Sequence, residues 1–307
     1  MENSVEKPTR RFRLSRRQTA GDRILLAVFF VISFLFAAAC LYPFLLMIVS
    51  SFTDEATIIR NGFTLLPAKW SLNAYKAVFS AGTVPTAYQV TIITTVGGTA
   101  LSLLATSMCA YAISVKALRY RNIIAFIFYF TLLFSGGLVP TYILISKYLH
   151  LRNSYWAYIL PNLVGPMNIF LMRNFFSTLP ESFRESAKMD GAGEMTILFR
   201  IVIPLSTPAM ATFALFYALG YWNTWMESML YMDSSKMYTL QYLIMQIMRN
   251  LTAATTIAKQ ASIPMPVPPA HTIQYATAML SIGPIIFLYP FLQRYFVAGL
   301  RVGGIKG

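Results

Sequence analysis

Four carboxylates stand close together in a chain that has only 11 acidic residues: Glu181, Glu185, Asp190 and Glu194. Apolar runs flank them on both sides, so this charged insert is either a solvated loop or a docking surface. The motifs of other chemistries are missing. No G-x-x-x-x-G-K-[ST] stretch occurs, and Gly303-Gly304-Ile305-Lys306 lacks the Ser/Thr and the flanking strand of a nucleotide loop. H-E-x-x-H and G-x-S-x-G are also absent. His150 and His271 have no ligand-spaced partners, and Cys40 and Cys109 both lie inside apolar runs, so neither metal chemistry nor a disulfide framework is expected. Glu227 has no charged neighbour within a helical turn, which argues against ion-coupled transport.

A second group of interest is aromatic. Tyr217, Tyr221 and Trp225 recur at i, i+4 and i+8, which places them on one face of a helix, with Trp222 and Asn223 beside them. Rings with neighbouring amides suit sugars, whose C–H faces stack while their hydroxyls hydrogen-bond. The same rings near the end of a span also suit an interfacial aromatic belt, and their position favours the belt. Asn162 lies in another apolar run interrupted by Pro161, Gly165 and Pro166. Such broken helices are tolerated where neighbours or a cavity satisfy the freed backbone, which points to a transport path.

The acidic insert reads as two short helices. Pro180 suits the first turn of a helix, and Glu181 sits near the positive end of its dipole. Gly191 can take the left-handed conformation that ends it. Met195, Leu198, Phe199 and Val202 then give a second helix one apolar face, and Pro204 marks the start of the next apolar run.

The pattern Glu185-Ser186-Ala187, Asp190-Gly191-Ala192, Ile201 and Pro204 resembles the cytoplasmic "EAA" loop of ABC-importer permeases, with Ser186 where that family favours Ala. In that family the loop is a coupling helix that docks on the ATP-hydrolysing subunit. The resemblance covers essentially the whole chain after residue 20. Leu171-Met172-Arg173-Asn174-Phe175-Phe176, Tyr221-Trp222-Asn223-Thr224-Trp225 and the tail from Gln293 to Gly307 look like the carbohydrate-uptake branch. They are similar to the smaller permease of the maltose importer and, more closely, to permeases of complex- and uronate-oligosaccharide importers. The resemblance implies an all-α polytopic membrane protein of the type I importer fold with six transmembrane helices, five of them forming a core. It implies a non-catalytic subunit in a bacterial cell membrane. Its partners would be a second homologous permease, two ATPase subunits, an extracellular solute-binding protein and a carbohydrate substrate. No cofactor would be bound by this chain; ATP and Mg would be used by the ATPase subunits. A permease for an amino acid or phosphate is the alternative within transporters, and a membrane-embedded enzyme or channel the alternative outside them.

Composition agrees with the membrane. The 307 residues are 56% hydrophobic and 12% charged, against about 25% charged in soluble domains. The net charge of +14 would suit nucleic acid in a soluble protein; here it follows from Lys and Arg kept on cytoplasmic loops, and no nucleic-acid partner is expected. Residues 1–23 are a basic N-terminus, 24–51 a first span, 52–86 an extracytoplasmic segment and 87–307 a five-helix core containing the loop 180–204. Ala37-Ala38-Ala39-Cys40 looks like a lipobox, yet the apolar run continues past it, as an uncleaved span requires. Further spans are expected at about 87–114, 122–146, 155–176, 204–230 and 273–296, with residues 231–273 as a long connection. In the first polar segment, Ser71 is expected to cap a short helix. With both termini inside, 17 of the 25 basic residues fall on the cytoplasmic side.

Overall fold

A computed structural model describes residues 20–80, 82–261 and 271–286, and its regular structure is helical. The basic residues 1–19, residues 287–296 of the sixth apolar run, the proline-rich stretch 262–270 and the tail lie outside the described residues. Helix α1 (Ala20–Ser51) is continuous through Cys40 and Pro43. Its 32 residues extend about 48 Å, more than the roughly 30 Å of a hydrocarbon core. The side chains of residues 21–45 are exposed. A helix that is apolar all round and leaves that surface open is stable only with lipid or another helix against it.

Two short helices follow, α2 (Glu55–Asn61) and α3 (Asn73–Ser80). Ser71 Oγ accepts from Asn73 N–H at 3.2 Å, but α3 starts at Asn73 and Lys76 N–H bonds Leu72 O, so Ser71 stands one residue before the capping position expected of it. Tyr75 donates to Ser51 Oγ at 3.0 Å and stacks on Phe52, fixing α3 to the end of α1.

Helix α4 (Thr83–Ser114) is the axis of the molecule. The middle of its buried face is polar or small, with Thr91, Thr94, Gly98, Ser102, Thr106 and Ser107, between apolar Val84 and Val90 at one end and Tyr111 and Ile113 at the other. Its exposed face carries Ile92, Ile93 and Val96. That is the reverse of a water-soluble helix and fits packing in lipid, where small residues let backbones approach and polar groups find partners inside the bundle.

The third apolar run folds as α5 (Arg121–Leu133), then α6 (Leu138–Ile143) and a π-helical turn, Leu144–Tyr148. The two arms are bent by 112° across Gly136-Gly137, where Gly137 takes φ +83°. The fourth run divides into α7 (Trp156–Ile159), a 3-10 turn Leu160–Asn162, and α8 (Pro166–Phe176). The acidic insert gives α9 (Glu181–Met189) and α10 (Glu194–Ile197). From there a π-helical turn, Leu198–Val202, leads into α11 (Ile203–Leu205). The next apolar helix, α12 (Thr207–Trp222), begins after an 88° bend. Pro204, at about the expected start of that span, stands on the arm before the bend, and the helix after the bend starts at Thr207.

Beyond α12 come α13 (Met226–Tyr231), α14 (Leu240–Ala261) and α15 (residues 271–286). The expected connection 231–273 thus contains a 22-residue helix. Gln241, Gln246, Arg249 and Asn250 interrupt its hydropathy and hide it from a search for spans. Glu55 reaches from α2 to accept from His271 N–H and Thr272 N–H at the start of α15. Among the described residues two helices are long and apolar enough to cross a membrane, within α1 and α4, or four if each bent pair is one span.

Candidate functional site

The acidic loop is built on a helix stop. Gly191 has φ +79°. Its N–H donates to Lys188 O at 3.0 Å, and Ala192 N–H donates back to Ala187 O at 2.9 Å. These two bonds form a Schellman motif and satisfy carbonyls that the helix end would otherwise leave bare. Ala187 is buried and Ala192 packs on the same cluster, which supplies the apolar contact such a motif favours. Ala187, Asp190, Gly191 and Ala192 are thus the parts of one turn. α9 ends at Met189 with Asp190 as its cap, and Pro180 stands just before Glu181, the first helical residue.

The second short helix buries a different face from the expected one. Ile197, Leu198 and Val202 are buried, Ile201 packs against them, and Met195 and Phe199 are exposed. The π-helical turn at Leu198–Val202 accounts for this, because one extra residue per turn rotates the face away from 3.6-residue spacing.

The acids of the insert separate into two classes. Glu194 accepts from Lys188 at 2.7 Å and Arg184 at 3.3 Å, and from Tyr111 near the end of α4. Burial pushes its carboxyl up, but the bonds from Lys188, Tyr111 and Arg184 reverse this and hold it at about 2. Glu181 pairs with Lys116 at 2.9 Å, whose hydrogen bond and charge lower its carboxyl below the usual range. Glu185 and Asp190 are exposed, and among the described residues neither is in an ion pair. Ser186 is exposed beside them, as are Phe183 and Met189, the latter at 87%. Two carboxylates therefore lock the loop to the body, and two face outward with apolar neighbours.

Asn162, Tyr217, Tyr221, Asn223 and Trp225 line one cavity of about 320 Å³, whereas Trp222 is buried and donates to the Ser281 carbonyl instead. They do not share a helical face, however. α12 ends at Trp222, so Trp225 lies past the helix, and the i, i+4, i+8 spacing holds only for the two tyrosines. Those tyrosines are 6% and 2% exposed. Tyr217 shares a hydrogen bond with Thr106 at 2.6 Å, and Tyr221 with Ser102 at 2.8 Å. Their rings frame the cavity while their hydroxyls fasten α12 to α4. Trp225, 39% exposed, and Asn223 are open to it. Glu227 lines it as well and accepts from Asn162 Nδ2 at 2.8 Å. Sequence spacing missed this pair because it joins positions 65 residues apart.

Comparison with known proteins decides what this arrangement belongs to. The family model described as the binding-protein-dependent transport system inner membrane component matches residues 117–302. The chain belongs to that family. It is 39% identical over 273 residues to the polygalacturonan/rhamnogalacturonan transport system permease protein YtcP of Bacillus subtilis strain 168, covering 89% of this chain and 95% of that one. It is 28% identical over 296 residues to the trehalose/maltose transport system permease protein MalG of Thermococcus litoralis, covering 95% and 99%. A solved structure of a bacterial ABC transporter involved in the import of the acidic polysaccharide alginate matches with a TM-score of 0.79 and 31% identity, over 91% of this chain and 98% of that chain. A binding-protein-dependent permease is a membrane-embedded component of a transporter, and the helical architecture described above is that of an ABC-importer permease.

Proposed function

We propose that this chain is the permease subunit of an ATP-driven, binding-protein-dependent importer of a carbohydrate, an oligosaccharide above all. It crosses the cell membrane six times with both termini in the cytoplasm, following the basic-residue bias. The basic segment 1–23, the first span 24–51, the extracytoplasmic segment 52–86 and the core 87–307 are its parts. It forms half of the translocation path with a second permease and catalyses no reaction of its own. Two ATPase subunits use ATP and Mg, and an external binding protein delivers the solute.

The observation that carries this reading is the loop 180–204. A Schellman stop at Gly191 presents exposed Glu185, Phe183 and Met189, a surface suited to a partner with an apolar cleft and a basic side chain. Glu185, Ser186, Ala187, Asp190, Gly191, Ala192, Ile201 and Pro204 are the coupling residues, most of them by shaping the loop and Glu185 by pairing. An interfacial charge left buried and unpaired costs about 2–5 kcal/mol, so Glu185→Lys uncouples the ATPase. Asn162, Tyr217, Tyr221, Asn223 and Trp225 border the path, with Trp225 and Asn223 nearest the sugar. The names of the relatives support the solute class.

The test is deletion of this chain followed by uptake of labelled neutral and uronate oligosaccharides, amino acids and phosphate, with co-purification of a P-loop ATPase from the tagged wild type. Loss of one carbohydrate class alone, with the ATPase retained, is expected. Intact sugar uptake with lost amino-acid or phosphate uptake refutes the solute class, and absence of an ATPase refutes the coupling.

A further inference from the structure

A second cavity, of about 350 Å³, opens where the ends of α4 and α8 meet the start of α5, α9 and the arm leading to α11. Lys116, Arg121, Arg173 and Arg184 line it, against the single carboxylate of Glu181. Lys116 is committed to Glu181, and Arg184 to Glu194 and, at 3.9 Å, Glu181. Even so, Arg184 Nε is buried without an acceptor. Arg121 and Arg173 are half-buried, and among the described residues neither has an acidic partner. A guanidinium that has lost part of its water and gained no anion is poised for one, and its planar fork fits phosphate oxygens in pairs. Apolar side chains complete the lining, among them Phe176, Ile201 and Leu205.

We propose that this cavity binds the phosphate-bearing headgroup of an anionic phospholipid, with an acyl chain along the apolar lining. A free phosphate would satisfy the arginines and leave that lining wet, whereas a lipid covers both. The level is right for a headgroup. Arg121 opens α5, Arg173 lies in the last turn of α8, and Lys116 follows the end of α4. The inference rests on the membrane placement proposed above, which puts these ends at the cytoplasmic leaflet. That placement has its own check: Lys188→Cys should resist an impermeant reagent in intact cells, whatever the lipid result.

The experiment uses the whole transporter, ATPase subunits included, in nanodiscs of phosphatidylcholine containing a phosphatidylglycerol that carries a photo-crosslinker at its headgroup. Peptides around 116–121 and 173–177 should be labelled. Each cation near a headgroup changes anionic-lipid binding by about fivefold. Arg121→Gln/Arg173→Gln should therefore cut labelling there by about twenty-fivefold, and Arg121→Lys/Arg173→Lys, which keeps the charge without the fork, should restore only part of it. A crosslinker on phosphatidylcholine should label these peptides several times less, a comparison made on wild type that needs no variant to fold. Equal labelling by the two lipids, or labelling that the Gln pair leaves unchanged, overturns the proposal. So does full competition by inorganic phosphate, which would make the occupant a soluble ion. Labelling found only when the ATPase subunits are stripped away also overturns it, because the cavity would then belong to the partner.

Discussion

Gly191 offers a test that separates backbone conformation from side-chain bulk. Its φ of +79° lies in the left-handed region, and among the described residues a Cβ added there meets no atom within 4 Å beyond its chain neighbours. Any cost of Gly191→Ala inside this subunit is therefore conformational, roughly 1–2 kcal/mol. Asn enters the same region with a locally hydrogen-bonding side chain, so Gly191→Asn should cost only a fraction of that. Gly191 itself is exposed, although Ala187 and Ala192 beside it pack on the buried cluster, so neither variant should lower expression. What falls is the population of the correctly stopped helix. At about 1.4 kcal/mol per factor of ten, Gly191→Ala weakens ATPase retention by about five- to thirtyfold and Gly191→Asn by about twofold. The assay is titration of purified ATPase onto the reconstituted permease pair, followed by ATP hydrolysis stimulated by loaded binding protein. If Asn is as damaging as Ala or worse, close approach of the partner governs the position and the conformational argument fails. Wild-type binding in both variants would mean the loop is only a connector.

Other consequences follow from the same geometry. A Cβ on Gly98 would lie 2.7 Å from the Tyr221 ring, which is held by bonds to Ser102 and the Ile159 carbonyl. Gly98→Ala should therefore cost about 1–3 kcal/mol by overpacking and lower the Tm of the purified complex. Gly97→Ala, with nothing within 4 Å, should leave it unchanged, and equal Tm values for the two would refute the packing account. Trp225→Ala should reduce uptake at constant Tm, whereas Tyr221→Ala should lower Tm by opening a cavity worth about 3–5 kcal/mol; the reverse pattern would make Trp225 the structural residue. Glu194, held at about 2 instead of 4.5, contributes stability that is complete above about pH 4.5 and lost as pH falls towards 2. The full shift corresponds to about 3 kcal/mol; with 46% of the side chain exposed, solvent screening leaves about 1 kcal/mol. Proteolysis of the loop 180–204 should accelerate between pH 6 and pH 3.5 in wild type and rise less steeply in Glu194→Gln, where of the two locking carboxylates only Glu181 still titrates; matching profiles would exclude Glu194 as the cause.

Much of the loop was legible because its signals are local. A proline, an acid after it and a glycine ten residues on specify a helix and its stop without knowledge of anything else. Gly98 and Ser102 of α4 meet Tyr221, a close approach that small side chains permit. What stayed hidden depends on distant partners or on broken periodicity. Nothing near Glu194 in sequence reveals Tyr111, 83 residues away. The face of Met195, Leu198, Phe199 and Val202 fails because a π-helical turn replaces the 3.6-residue repeat. The tyrosine–tryptophan stripe fails at its last member because α12 stops at Trp222. Helix α14 was concealed by its own polar residues, since a hydropathy reading finds spans and not amphipathic helices.

The 88° bend between Leu205 and Thr207 makes a crank of two otherwise separate parts. One limb, Glu194–Leu205, is about 18 Å long and carries the loop; the other, α12, is about 24 Å long and ends beside the aromatic cavity. With the limbs at right angles, a push across the short limb appears as a tilt of the long one. A displacement of about 3 Å at Glu194, pivoting on buried Ser206, is a rotation of about 10° and carries the Trp222 end through about 4 Å. That exceeds the diameter of a water molecule. A swing of that size would part the Tyr217 and Tyr221 hydroxyls from α4, so an elbow of this shape would link a displacement of the loop to the walls of the aromatic cavity through those two bonds.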